Sequence, residues 1–345
     1  MPTQPTHATL SPLRSRSASR LFLAALFCAL SLFIAACKEQ PAQNQNAGAQ
    51  PTPAPTPGVP FDGQRAFEHV RKQVEFGPRP AGSAELAKAR DYITGELRSY
   101  GLNYSTDAFQ PQTPVGVRQM VNITAELPGE SSEVIIISTH YDTKLFKEFT
   151  FVGANDGGSS TGAVLELARV LKARGQKPRY TYWFVFFDGE EAFCKEWDEC
   201  KNPNGEPDNT YGSRRYVQQL KEKNETKRVR AMILLDMVGN KNLEFGRDME
   251  LSSQWLVNLI WDTAYGLGFN KQFVNRSESV GSDDHEPFLR AGIDAVDIIQ
   301  IQNNPHWHEP TDTLDTISPA SLKIVGDVAL ASLPRIEERL QSRSR

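Results

Sequence analysis

Two glutamates stand side by side in Phe186-Phe187-Asp188-Gly189-Glu190-Glu191-Ala192-Phe193, directly after the apolar run Tyr180–Phe187. Neighbouring carboxylates at the end of a buried strand repel one another, and a metal ion is the simplest compensation. One glutamate would then hold the ion while the other moves protons. Taken alone, the pair reads equally well as an acidic helix start favoured by the helix dipole. The remaining chemistry-bearing residues shift that balance.

His140 and Asp142 follow the apolar segment Glu133–Ser138, and Asp236 follows Met232–Leu235. Asp156 lies in a Gly/Ser-rich loop, VGANDGGSS; Asp283, Asp284 and His285 open a short helix; His306 and His308 follow the last apolar segment. Of six histidines, four fall at these places. Singly, Asp156 reads as a capping residue, Asp236 as a strand-end turn residue and His140 as a hydrogen-bonded core histidine. Together they form an oxygen/nitrogen ligand set with a spare glutamate. Carboxylate plus imidazole suits Zn²⁺ with one position left open for substrate.

Parallel strands whose carboxyl ends share one edge would gather these groups, as open α/β sheets do. Strands are expected at Glu133–Ser138, Tyr180–Phe187, Met232–Leu235 and Ile293–Ile299. Helical spacing marks Ser83–Tyr100, Thr161–Ala173, Tyr211–Lys223, Gln254–Gly266 and Ser318–Leu340. The alternation predicts an α/β fold: a single globular domain over 61–343 with a mostly parallel, doubly wound mixed sheet and helices on both faces.

The first 36 residues read as an export signal. Arg14, Arg16 and Arg20 precede the apolar run Leu21–Ala36, which ends Ile34-Ala35-Ala36-Cys37. That run is short for a membrane span of about 20 residues. The cysteine after small residues resembles a bacterial lipobox, implying cleavage before Cys37 and acylation of its thiol. Lys38, not aspartate, follows, which resembles the pattern of outer-membrane sorting. Residues 37–60, rich in Pro, Gln and Ala and free of aromatics, read as a flexible tether. The expected location is the periplasmic side of the envelope. A net charge of −4 and no long basic run give no sign of nucleic-acid binding. Of four cysteines, Cys194 and Cys200 remain in the domain, and in an exported protein a small-loop disulfide is expected; two metal-binding thiols are the alternative.

With these residues assembled, the chain resembles the zinc exopeptidase superfamily of bacterial aminopeptidases and animal-type glutaminyl cyclases. The signature runs THYDT, GANDGG, FFDGEEAF, LLDMVG, SDDHEPFLRAGI and WHEPTDT across nearly the whole domain. HYDTKLF with Lys144, FVGAND, GEEAF, DNTYGSRRY, DDHEPFLR and the Trp307-His308 pair look closer to the cyclases. The resemblance implies Asp156, Glu191 and His308 as zinc ligands, with His306 as runner-up for the last. It implies Glu190 as general acid/base, Asp236 and Asp283 as organising carboxylates, and Trp307 as a substrate wall. Trp197, in the long insert FCKEWDECKNPNGEPDN, matches a pocket tryptophan loosely. Departures from the animal cyclases are Gly157 for Ser, Asp297 for His, and Gln302-Asn303-Asn304 for an aromatic.

The expected function is conversion of N-terminal glutamine to pyroglutamate with one zinc. The alternative is an aminopeptidase in which His140 and Asp236 complete a second zinc site bridged by Asp156. A lipid-anchored binding protein without catalysis is the third reading, disfavoured by the intact Glu190. The implied partners are peptide or protein N-termini and, through the lipid, a membrane.

Overall fold

Three segments of β-branched and aromatic residues form the centre of the fold because both of their faces are covered. Every residue of Val134–His140 and Thr181–Phe187 is buried, and all but one of Val229–Asp236. The computed structural model describes residues 58–197 and 199–343. The export segment, Cys37 and all of the tether except Gly58–Pro60 lie outside the described residues.

In chain order the elements begin with α1 (Gly63–Glu75), α2 (Ala84–Ser99), β1 (Asn103–Phe109), β2 (Gln112–Thr113), β3 (Gly116–Val117), β4 (Met120–Leu127) and β5 (Val134–His140). Next come α3 (Gly158–Ala173), β6 (Thr181–Phe187), α4 (Tyr211–Glu222), β7 (Val229–Asp236), β8 (Phe245–Asp248) and α5 (Gln254–Gly266). The last are β9 (Phe273–Glu278), α6 (Glu286–Arg290), β10 (Ala295–Ile299) and α7 (Pro319–Arg343). The main sheet runs β1-β4-β6-β5-β7-β10. β6, β5, β7 and β10 are mutually parallel, while β4 joins β6 and β1 joins β4 antiparallel.

The side-chain alternation of a strand divides the core in two. Ile135, Ile137, Phe184, Phe186, Ala231 and Ile233 face the larger cluster, beneath α1, α2, α3, α5 and α7. Val134, Ile136, Trp183, Val185, Met232 and Leu234 face a smaller one beneath α4 and α6. Helices therefore cover both faces, as the sequence predicts. α3 starts at Gly158, three residues earlier than expected, and α1 crosses it closely: a Cβ on Gly162 would lie 2.5 Å from the Ala66 carbonyl oxygen. Asp283–His285 precede α6 instead of beginning it, because the α-helical bonds start at Glu286.

Register does the positioning. His140 lies beside Phe187 at the ends of β5 and β6, and Asp236 beside Ile299 at the ends of β7 and β10. Among the described residues no helix is long and apolar enough to cross a membrane.

Candidate metal centre

Four strand ends deliver the side chains to one edge of the sheet. Gly189, two residues past the end of β6, has φ 73°, and the next two peptide N–H groups are fixed from across the edge. The Asp142 carboxylate accepts from Glu190 N at 3.2 Å and from Glu191 N at 3.3 Å. Asp156 sits in the loop before α3, where the Asp312 carboxylate accepts from Asn155 N at 2.7 Å and Asp156 N at 3.1 Å. Gly157 is required there: its φ is +71°, and a Cβ would lie 2.5 Å from the Asp142 carbonyl oxygen.

His308 is held by aromatic contacts. Its ring stacks on Trp307 at 4.8 Å and meets the edges of Phe146 and Phe151 at 5.7 and 6.0 Å. Its φ of 56° is uncommon for a non-glycine residue and aims the ring into the site.

Two donor groups result. In the first, His308 Nε2 lies 3.4 Å from both Asp156 Oδ2 and Glu191 Oε2. In the second, His140 Nε2 lies 3.3 Å from Asp156 Oδ1 and 3.1 Å from Asp236 Oδ1. Within each group the donor atoms are all within 4.8 Å of one another. The first spacing is long for a hydrogen bond. It matches two ligands of a tetrahedral zinc, which at about 2.1 Å from the ion stand about 3.4 Å apart. Both Glu191 carboxylate oxygens are buried with no hydrogen-bond partner, a costly state unless a cation meets them. The residues fit a zinc ion. His306 instead pairs its Nδ1 with Thr311 Oγ1 at 2.8 Å and takes no part in either group.

Electrostatics around these groups follow from burial and crowding. Burial raises the Glu190 carboxyl well above its ordinary range; His140 opposes this, while Asp283, Glu191 and Asp284 add to it. Asp283 is raised well above the usual range by burial and by Asp236 and Asp284. Asp156 goes the other way: burial works against ionisation, but the imidazoles of His140 and His308 beside it hold it low. Burial disfavours charge on His308, yet Glu191 and Asp156 outweigh it and push the imidazole up to about 10.

A cavity of about 200 Å³ opens over these groups, lined by Glu190, Asp236, Asp283, Trp197 and Trp307 with apolar Ile299 and Val280 between. A larger cleft of about 330 Å³ lies at the opposite edge, by Arg174, Tyr182 and Glu337, and carries none of the candidate residues. Residues 122–333 match peptidase family M28. The chain belongs to that family. It is 26% identical over 277 residues to the glutaminyl-peptide cyclotransferase of Drosophila melanogaster, covering 73% of this chain and 76% of that protein. The crystal structure of an Acidobacteriales bacterium glutaminyl cyclase superposes with a TM-score of 0.75 at 34% identity, covering 84% of this chain and 100% of that one. A Zn-dependent exopeptidase from Parabacteroides distasonis gives 0.70 at 26% identity, covering 79% and 97%. This M28 site is therefore that of an enzyme, a glutaminyl cyclase or a zinc exopeptidase.

Cys194 and Cys200 are bonded to each other, so neither offers a free thiol to a metal. The loop they close carries Trp197, which reaches the cavity. It is anchored at its start by Lys144, whose Nζ donates to the Ala192 and Cys194 carbonyls at 2.9 and 3.1 Å. Asp208 adds a second anchor, accepting from Phe193 N and Cys194 N at 2.9 Å. The far end is tied by the disulfide and by the pairing of Lys201 with Pro207, and Asn209 Nδ2 donates to the Trp197 carbonyl at 3.2 Å. Replacing both cysteines by serine is expected to raise KM about fivefold, equivalent to about 1 kcal/mol of lost contact, with kcat little changed. Steady-state kinetics on the double variant checks this; an unchanged KM sinks the idea.

Sequence reasoning gave no role to Asp312 and none to Asp142 beyond its strand-end position. Both act through backbone N–H groups, which leave no trace in residue spacing. The aspartate of WHEPTDT, four residues after the ligand histidine, was the available signal for Asp312.

Proposed function

We propose that the protein is a glutaminyl cyclase that converts N-terminal glutamine of peptides to pyroglutamate and releases ammonia, using one zinc held by Asp156, Glu191 and His308. The observation that carries this reading is the likeness to the Acidobacteriales glutaminyl cyclase, at 34% identity over the whole of that chain. When bound, the ion supplies Lewis acidity toward the side-chain carbonyl of the substrate. Trp197 and Trp307 wall the glutamine side chain, and Glu190 faces the substrate amine. Glu190 takes a proton from the attacking α-amine and returns it to the departing ammonia. Reaction within one residue leaves the cavity only the work of folding the substrate and excluding water. Asp236 and Asp283 keep this corner acidic and ordered beside Glu190.

A second reading, a two-zinc aminopeptidase, is favoured by the His140–Asp156–Asp236 group. Incubation with a glutamine-initiated peptide and with amino-acid anilides, while ammonia and free amine are followed, separates the two. Ammonia with a cyclised peptide is the expected result; anilide hydrolysis without ammonia overturns it.

From the arginines, apolar run and Ile34–Cys37 junction we infer an exported lipoprotein on the periplasmic side of the envelope. Labelled palmitate is expected to enter the wild-type chain and to be absent from Cys37→Ser. Equal labelling of both refutes the anchor.

A further inference from the structure

Arg79, in the segment Gly77–Ser83, is a guanidinium at 0 % exposure that belongs to neither donor group. Buried charge is tolerated only when it is hydrogen-bonded, and both terminal nitrogens of Arg79 are bonded to carbonyl groups, while its Nε has no partner. Its Nη1 donates to Val152 O at 2.8 Å and to Gln73 O and Gly77 O at 3.3 Å. Its Nη2 donates to Gly153 O at 3.0 Å. Among the described residues it makes no ion pair, although Asp312, Asp142 and Asp156 are near enough to favour its charge. Burial brings the group down only to about 10, so it remains a cation at neutral pH.

The acceptors are what matter. Val152 and Gly153 lead directly into Asn155 and Asp156. On its other side the Arg79 backbone is bonded twice to Thr143: Arg79 N donates to Thr143 Oγ1 at 2.9 Å, and Thr143 N donates to Arg79 O at 3.1 Å. Thr143 stands between Asp142, which fixes the Glu190 and Glu191 N–H groups, and Lys144, which grips the Ala192 and Cys194 carbonyls. One residue thus joins the loop that carries Asp156 to the strap that orders Glu190 and Glu191. Only a planar fork with several donors can span these carbonyls; an ammonium is a point donor on a flexible stem.

We propose that Arg79 is a positioning residue for the metal centre: its guanidinium pins the Val152–Gly153 segment and so fixes where Asp156 presents its carboxylate, without touching ion or substrate. The proposal rests on the zinc site and not on which reaction it serves.

The test measures zinc affinity by chelator competition on wild-type, Arg79→Met and Arg79→Lys proteins, with circular dichroism and thermal unfolding to confirm folding. Supporting groups of this kind are worth about 10–100-fold in metal affinity, and that loss is expected for Arg79→Met. Arg79→Lys, keeping the charge but not the fork, is expected to bind zinc at least about fivefold more weakly than wild type. At saturating zinc both variants should keep the wild-type KM. Wild-type zinc affinity in a folded Arg79→Met protein overturns the proposal. If that variant does not fold, wild-type affinity in Arg79→Lys overturns it instead, because charge alone would then suffice. A raised KM at saturating zinc with unchanged zinc affinity also overturns it. None of these readings depends on the product formed, so a failure of the cyclase assignment appears separately in the ammonia assay.

Discussion

Glu190→Gln is expected to retain its zinc and lose about 10²–10⁴ of kcat, the usual worth of a positioned general acid/base. Glu190 stands outside the Asp156–Glu191–His308 donor group, so an amide at this position removes no ligand of that ion. The amide is nearly isosteric, and the N–H bond from residue 190 to the Asp142 carboxylate is made by the backbone, which the substitution leaves alone. Proton transfer is what disappears. Burial and the surrounding Asp283, Glu191 and Asp284 raise the Glu190 carboxyl, so it is poised to hold a proton and release it within one turnover. Zinc per chain by mass spectrometry and steady-state kinetics check both halves. A kcat within threefold of wild type sinks the role. Loss of zinc together with activity would make Glu190 a ligand.

The parts of the site written at strand ends were legible because burial leaves a signature. β5 opens on the apolar run Val134–Ile137 and β6 is apolar from Tyr182 to Phe187, and the polar residues that follow each run mark the edge where chemistry collects. His140, Glu190, Glu191 and Asp236 follow from that, and the WHEPTDT loop supplied His308. The antiparallel side of the sheet was not legible. β1 (NYSTDAF) is an edge strand with no buried residue, so nothing in its composition separates it from a loop. α1 went unpredicted although it was legible: Ala66 and Val70 are buried and Phe67 and Val74 half-buried, a clear helical spacing of apolar positions. Arg79 lies between two prolines and reads as turn; its importance is created by carbonyls from residues 73–77 and 152–153, which no pattern in the chain connects.

Ligand substitutions with metal counting should distinguish one zinc from two, and so decide between amine and water as the partner of Glu190. His308→Ala removes the sole imidazole of the first group, and His140→Ala that of the second. The two groups differ in one respect. His140 Nε2 is within hydrogen-bond distance of Asp236, whereas His308 Nε2 is held 3.4 Å from each of its carboxylates with no hydrogen bond between them. A histidine whose Nε2 is already bonded to a carboxylate forms a polar pair without an ion, although the His140 Nδ1 has no hydrogen-bond partner. Two Glu191 oxygens that face an imidazole without a hydrogen bond, with the Lys144 ammonium only as near as 3.9 Å, form no such pair. The expected counts are one zinc in wild type, one in His140→Ala and none in His308→Ala. Turnover in His308→Ala should fall to background, and chelation of the wild type should do the same. Two ions in wild type with one left in His140→Ala would give the second group a metal of its own and move the assignment to the aminopeptidase. Asp156 contributes an oxygen to both groups, so Asp156→Ala is expected to bind none under either outcome. It therefore reports on the shared ligand and not on the count.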